Sequence, residues 1–230
     1  MIKMNRFFGT AVVVFFSFQM AMAQEVRLGV KGTLNLTNIP DFTVVETLGQ
    51  DLKYMATGGA GIFAEIPLDQ NFTLRTEAAY SRRGGKVDRL NLGSGTVGTI
   101  IGGLTNARLN LDYIDISPLL QYKFTPEAAN GTAYLVAGPS VGFMVDHSMS
   151  NNLLGFTVQY NLDLNYKAAD FGGVIGLGYE LPLRGKLKGF VEATYRQGFT
   201  NAINNIGILK VDSKTSNIGF SAGLSFPLGK

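Results

Sequence analysis

Few residues of this chain could carry covalent chemistry. Its 230 residues include one histidine and no cysteine. That histidine, His147, sits between Asp146 and Ser148, the residue types of a hydrolase triad. A triad draws its members from separate elements, and neighbours on an extended chain point to opposite faces. His147 therefore reads as a loop residue in water, and no enzymatic activity is expected. Gly93-Ser94-Gly95-Thr96-Val97-Gly98 fits G-x-G-x-x-G. A dinucleotide site needs a strand before that motif and a helix after it, whereas here it falls in a long connection. Without cysteine there is no disulfide framework and no thiolate metal site, and one histidine cannot build a multi-histidine zinc centre. No metal or cofactor is expected. The remaining candidates are charges, 20 Lys and Arg against 17 Asp and Glu. They form no basic cluster, so no nucleic-acid partner is expected.

The elements that must position these charges start after an address. Lys3 and Arg6 precede an uncharged apolar run, Phe7 to Phe18, and then Ala21-Met22-Ala23. This is the pattern of a secretory signal peptide cleaved after Ala23. The run is shorter than the ~20 residues that span a bilayer as a helix. The expected organisation is a signal peptide over 1–23, read by the Sec pathway, and one domain over 24–230. Loss of Lys3 and Arg6 lowers the net charge from +3 to +1.

From Gln24 onward the apolar pattern has period two, the period of strands. Ile218, Phe220, Ala222, Leu224 and Phe226 share one face, opposite Asn217, Gly219, Ser221, Gly223 and Ser225. The same reading places strands near 25–36, 55–66, 72–82, 109–124, 131–145, 168–181, 187–199 and 215–228, with ends uncertain by ~2–4 residues. Short turns near Pro67 to Asn71, Thr125 to Gly131 and Pro182 to Lys186 alternate with long connections near 37–54, 83–108, 146–167 and 200–214. Within the third of these, Phe156 to Tyr160 could extend the strands above the membrane. An even number of strands with alternating short and long connections is the topology of an outer-membrane barrel. The expected fold is all-β, an eight-stranded antiparallel up-and-down transmembrane β-barrel.

The faces agree. The apolar face carries charge only at Arg82 and Asp112, where strands run into a long loop. Charge on a lipid face costs about 2–4 kcal/mol at mid-bilayer and much less at its edge. The other face holds Gly29, Gly59, Gly61, Gly138, Gly142, Gly172, Gly176, Gly178, Gly219 and Gly223. Glycine weakens a solvated strand but makes room inside a narrow barrel. The larger inward neighbours are expected to be Arg27, Lys31, Arg75, Lys123, Lys188 and Arg196 with Glu65, Glu77, Asp115, Asp170, Glu180 and Glu192. Buried charge is tolerated when paired, so these residues are expected to form an ion-pair network that fills the lumen. A proton or ion path through them is the alternative. Tyr80, Tyr113, Tyr122, Tyr166, Tyr179, Tyr195, Phe124 and Phe199 are candidates for an interface belt.

Four segments, in order, carry a family resemblance. Tyr113-Ile114-Asp115-Ile116-Ser117-Pro118-Leu119-Leu120-Gln121-Tyr122-Lys123-Phe124 is similar to a strand of the PorT-like outer-membrane β-barrel proteins of Gram-negative bacteria, the Bacteroidetes especially. Tyr134 to Pro139, Asp170 to Glu180 and Tyr195 to Asn201 resemble later strands of that family. The chain departs from many such barrels in ending on Phe226-Pro227-Leu228-Gly229-Lys230 rather than on an aromatic residue. The resemblance implies an integral outer-membrane barrel, surrounded by outer-membrane lipid and without catalytic residues. The expected role is structural or interactive, through exposed loops; the alternative that the resemblance implies is an accessory role in protein secretion with envelope partners. A small-ligand binder or transporter is the remaining alternative. A monomer is expected.

Overall fold

Side chains of a strand alternate between its faces, and each barrel strand sorts its residues accordingly. In the computed structural model, which describes residues 25–38, 54–89, 105–124, 131–153, 156–160, 168–201 and 214–228, the strands are β1 (Arg27–Asn38), β2 (Met55–Pro67), β3 (Phe72–Arg89), β4 (Thr105–Lys123), β5 (Thr132–Leu153), β6 (Phe156–Tyr160), β7 (Ala169–Pro182), β8 (Lys188–Gly198) and β9 (Ser216–Pro227). On β4, Ile114, Ile116 and Leu120 face out and Asp115, Ser117, Leu119 and Gln121 are buried. On β1, Val30, Leu34 and Leu36 face out, and Leu34 is 73% exposed. With a wall this apolar, the surrounding medium must be lipid.

Sequential strands pair antiparallel from β1 to β5, then β5–β7, β7–β8, β8–β9, and β9 returns to β1. The barrel is therefore closed, eight strands round, with β6 a short extra strand on the upper end of β5. No helix of the described residues is long and apolar enough to cross a membrane. The signal-peptide segment and the Gly93–Gly98 motif lie outside the described residues.

The expected loop boundaries need correction on one side of the barrel. β3, β4 and β5 have 18, 19 and 22 residues, against 11 to 14 in the other wall strands. They continue into 83–89, 105–108 and 146–153, which the sequence pattern assigned to connections. Above the bilayer both faces of a strand meet water, so the apolar alternation that marks a strand disappears. β5 continues from Phe143, its last partner on β7, to Leu153, a rise of about 30 Å at ~3.3 Å per residue.

Two prolines break the wall at one place. The β4–β5 register runs through Ile116↔Val141 and resumes at Leu120↔Ala137, with Pro118 and Pro139 across from each other in the interval. Neither has an N–H to give to the ladder. On the lumen side of the seam the Ser117 hydroxyl donates to Ser140 Oγ at 3.0 Å.

The inward glycines do make room, with a correction to what fills it. In the periplasmic half the space is taken mostly by apolar and aromatic side chains. A Cβ on Gly29 would strike the Phe63 ring, one on Gly178 the Tyr134 ring, and one on Gly223 would lie 2.6 Å from Phe190. Phe63, Leu119, Tyr134, Val136 and Phe190 form a cluster there, the Phe63 and Phe190 rings meeting edge-on at 5.5 Å. In the extracellular half the neighbours are charged, Asp115 and Arg83 at Gly142 and Arg196 at Gly172. Gly178→Val is therefore expected to lower stability by about 1–3 kcal/mol through overpacking. Gly32→Val, on the open outer face, should leave it unchanged. Urea titration followed by heat-modifiable gel mobility distinguishes the two.

Candidate functional site

The inward charges converge because the barrel is narrow enough for side chains of opposite walls to meet. Arg75 projects from β3 and Glu192 from β8, four strands apart in either direction round the wall. The Arg75 guanidinium is 2.7 Å from Glu192 Oε2 and 2.6 Å from Glu77 Oε1. Lys31 from β1 is 2.6 Å from Glu77 and 3.6 Å from Glu192. These four residues make a closed ring of alternating charge. The Tyr134 hydroxyl donates to Glu192 at 3.0 Å, and the Arg75 guanidinium lies over the Phe63 and Phe190 rings. Each charge has more than one partner, which a desolvated ion needs.

A second ring lies toward the extracellular end. Arg83 from β3 pairs with Asp115 of β4 and, at 2.7 Å, with Asp170 of β7. Arg196 from β8 is 3.0 Å from Asp170 and 3.9 Å from Asp115. Asp170 also accepts the Thr200 hydroxyl at 2.7 Å, and Ser81 donates to Asp115 at 2.5 Å. The Arg83 guanidinium stacks on the Tyr113 ring, 4.3 Å from its centroid. Buried Leu111, register neighbour of Arg83 on β4, covers this level.

At the periplasmic rim Glu180 accepts Lys188 at 2.6 Å and Lys123 at 3.3 Å. Just outside it, Lys186 lies 3.0 Å from Glu25, and this contact holds the Glu25 carboxyl below its usual range. Ten of the twelve inward residues named from the sequence thus stand in ion pairs. Arg27 and Glu65 do not join in the same way. Arg27 gives its guanidinium protons to the carbonyls of Lys186 and Ser225 and to Ser225 Oγ. Glu65 Oε2 is buried without a hydrogen-bond partner.

Arg83 is the member that sequence reasoning missed. The alternation signal ends at Arg82, and one residue of parity decides which arginine points inward. Arg82 and Asp112 do lie on the outer face, and their charges meet each other there at 2.6 Å. This pair is partly exposed, so Asp112→Ala is expected to cost no more than about 1 kcal/mol in the same urea titration. Tyr113 needs correction too, since it is fully buried over Arg83 rather than part of a belt; Tyr80, Tyr179, Tyr195, Phe124 and Phe199 are exposed. Tyr166 lies outside the described residues. His147 stands in strand β5, half-buried, not in a loop. Its backbone N–H donates to Asp146 Oδ1, and Ser148 Oγ accepts from Asn110. Among the described residues no group of three or more His, Cys, Asp or Glu side chains could hold a metal.

An antiparallel barrel of eight strands, apolar outside and packed with ion pairs inside, is an outer-membrane β-barrel, a class in which lipid-facing and lumen-facing residues alternate along each strand. The chain belongs to the outer membrane protein beta-barrel domain family, whose model matches residues 22–204. A major outer membrane protein from Thermus thermophilus shares the fold, with a TM-score of 0.50 at 11% identity over 88% of this chain and 99% of that one. OprG from Pseudomonas aeruginosa gives a TM-score of 0.49 at 12% identity over 90% and 97% of the two chains. Neisserial surface protein A gives 0.46 at 15% identity over 88% and 97%. No curated protein matches the sequence. The protein resides in the outer membrane.

Proposed function

We propose that this protein is a non-enzymatic, closed outer-membrane barrel, monomeric in its lipid, whose work is done by what it displays on its extracellular side. The Arg75–Glu192 contact carries this reading, because it joins strands on opposite sides of the wall and leaves no straight path through the lumen. The twelve inward charges named from the sequence, with Arg83, then serve as structural fill rather than as an ion path. Planar-bilayer recording tests it: the purified barrel is expected to give no stable single-channel current, and a large steady current would refute the closed lumen.

A second reading is an accessory part in protein secretion with envelope partners, as the PorT-like motifs imply. The asymmetric height of the wall supports it. β3, β4 and β5 rise on one side, and β6 pairs with the top of β5 from Met149↔Tyr160 to Leu153↔Phe156. A partner would find a lateral surface there instead of a symmetric rim. Cross-linking in intact cells through residues of β6 should capture one defined envelope protein if this reading holds, and none if it does not.

A further inference from the structure

The tall side of the wall has two free edges among the described residues, and they differ in kind. On β3 the last partner on β2 is Ser81, opposite Gly59. Beyond Gly84 the strand runs on through Gly85-Lys86-Val87-Asp88-Arg89, three charges in five residues. Charges on an edge, lysine above all, keep a second chain from adding to it. At the other end of the sheet order stands β6, which pairs with β5 and with no other described strand. Its sequence is Phe156-Thr157-Val158-Gln159-Tyr160, with no charge, proline or glycine. Four of its five residues are β-branched or aromatic, the types that favour strands. An uncharged free edge of that composition is a template for one more strand.

The order of its residues says which strand. Read in either direction, β6 runs aromatic, polar, Val, polar, aromatic, so it is complementary to itself. We propose that β6 pairs antiparallel, about Val158, with β6 of a second copy of this chain seated in a facing membrane. In that register Phe156 stands across from Tyr160 of the second copy, Thr157 across from Gln159, and Val158 across from itself. Like meets like on both faces of the sheet, and aromatic cross-strand pairs are among the stabilising ones. The twofold axis of such a pair is normal to the sheet and reverses the strand direction. Barrel strands cross the membrane at a tilt of about 35–45°, so a reversed strand belongs to a barrel pointing the other way. The surface therefore serves adhesion between two outer membranes, and the chain stays a monomer within each. Val158 is level with Asn151, eight residues beyond Phe143. At ~3.3 Å per residue and that tilt it stands about 20 Å higher, which holds the two rims about 40 Å apart. A single pair of short strands is weak, and many copies in apposed membranes supply the strength. This deepens the reading that the barrel works through what it displays, and rests on it. The envelope partner of the second reading would compete for the same edge.

Proteoliposomes holding this protein alone, extracellular side outward, test the pairing by light scattering, with folding checked by heat-modifiable mobility. Parent vesicles are expected to cluster and to scatter several-fold more than protein-free vesicles. Phe156→Lys with Tyr160→Lys sets like charges across the pair and should abolish clustering. Phe156→Glu with Tyr160→Glu should do the same. Mixing vesicles of the two variants should restore it, because each lysine then meets a glutamate. No clustering by the parent, clustering of either variant alone, or no recovery in the mixture would overturn the pairing. Should a charged variant fail to fold, Val158→Cys decides. The chain has no cysteine of its own, and residues directly opposite in an antiparallel pair are ~4.5–5.5 Å apart at Cα, within disulfide reach. With copies of two tag lengths in separate vesicle populations, mild oxidation is expected to join one length to the other. Absence of that product, or disulfides within one population only, overturns the facing arrangement. A steady single-channel current sinks the closed-barrel reading whatever the vesicles do. Parent vesicles that stay apart and pass no current refute the pairing alone.

Discussion

Glu192→Ala is expected to destabilise the barrel by about 3–5 kcal/mol, the cost of leaving buried charge without its partner. Glu192 is the acid on which the lower ring turns. Its carboxylate receives Arg75 at 2.7 Å and the Tyr134 hydroxyl at 3.0 Å, with Lys31 at 3.6 Å, and its side chain is fully buried. Removing it leaves Arg75 and Lys31 to share Glu77. Arg75 cannot turn to water, since Phe63 and Phe190 hold its guanidinium between them. The matching double variant, Arg75→Met with Glu192→Leu, removes the desolvation cost along with the attraction. It is expected to recover most of the loss, because a buried pair exchanged for apolar residues of similar volume is often neutral. Urea titration in lipid vesicles, read by the heat-modifiable gel shift, measures both. A single variant as stable as the parent would refute the ring.

Asp170→Ala is the second large effect, also expected at about 3–5 kcal/mol. This carboxylate serves two guanidiniums, Arg83 at 2.7 Å and Arg196 at 3.0 Å, and anchors Thr200 at 2.7 Å. Without it, Asp115 alone faces two arginines and the upper ring carries an excess positive charge. The end of β8 should loosen as well, because Gly198 and Thr215, which are joined by a backbone bond at 2.8 Å, lie against Asp170. Proteolysis should therefore cut Asp170→Ala near Phe199–Asn201 faster than it cuts the parent. Added salt should barely alter the effect, since screening acts weakly on buried pairs. Strong suppression by salt would place the pair in water and contradict its burial.

Much of this was legible in the primary structure. Lipid and lumen impose opposite demands on alternate residues, so period two, the near-absence of charge on one face and the glycines on the other were enough to define the barrel. The Arg82–Asp112 exception could be read the same way, since charge on that face is tolerable only near the bilayer edge. The fate of Phe63, Leu119 and Phe190 was not legible. They are apolar residues on the inward face, and an alternation rule assigns apolar residues to lipid. They are inside because Gly29, Gly138 and Gly223 on neighbouring strands vacate the space they occupy, a complementarity that exists only once register is set.

The sequence by itself therefore determined the class of protein and the number of wall strands, because those depend on local alternation and on the solvent around the wall; it did not determine the full inward set, since one residue of parity hid Arg83. Tertiary structure alone decided which charge meets which. Arg75 and Glu192 are 117 positions apart, and no spacing rule connects them. They meet because closure of the barrel puts β3 opposite β8 and the strand registers bring them to one level. The same closure brought Arg83 to Asp115 and Asp170, left Glu65 without a hydrogen bond at Oε2, turned Arg27 to backbone carbonyls, and divided the other ten charges and the overlooked arginine into two rings and a rim.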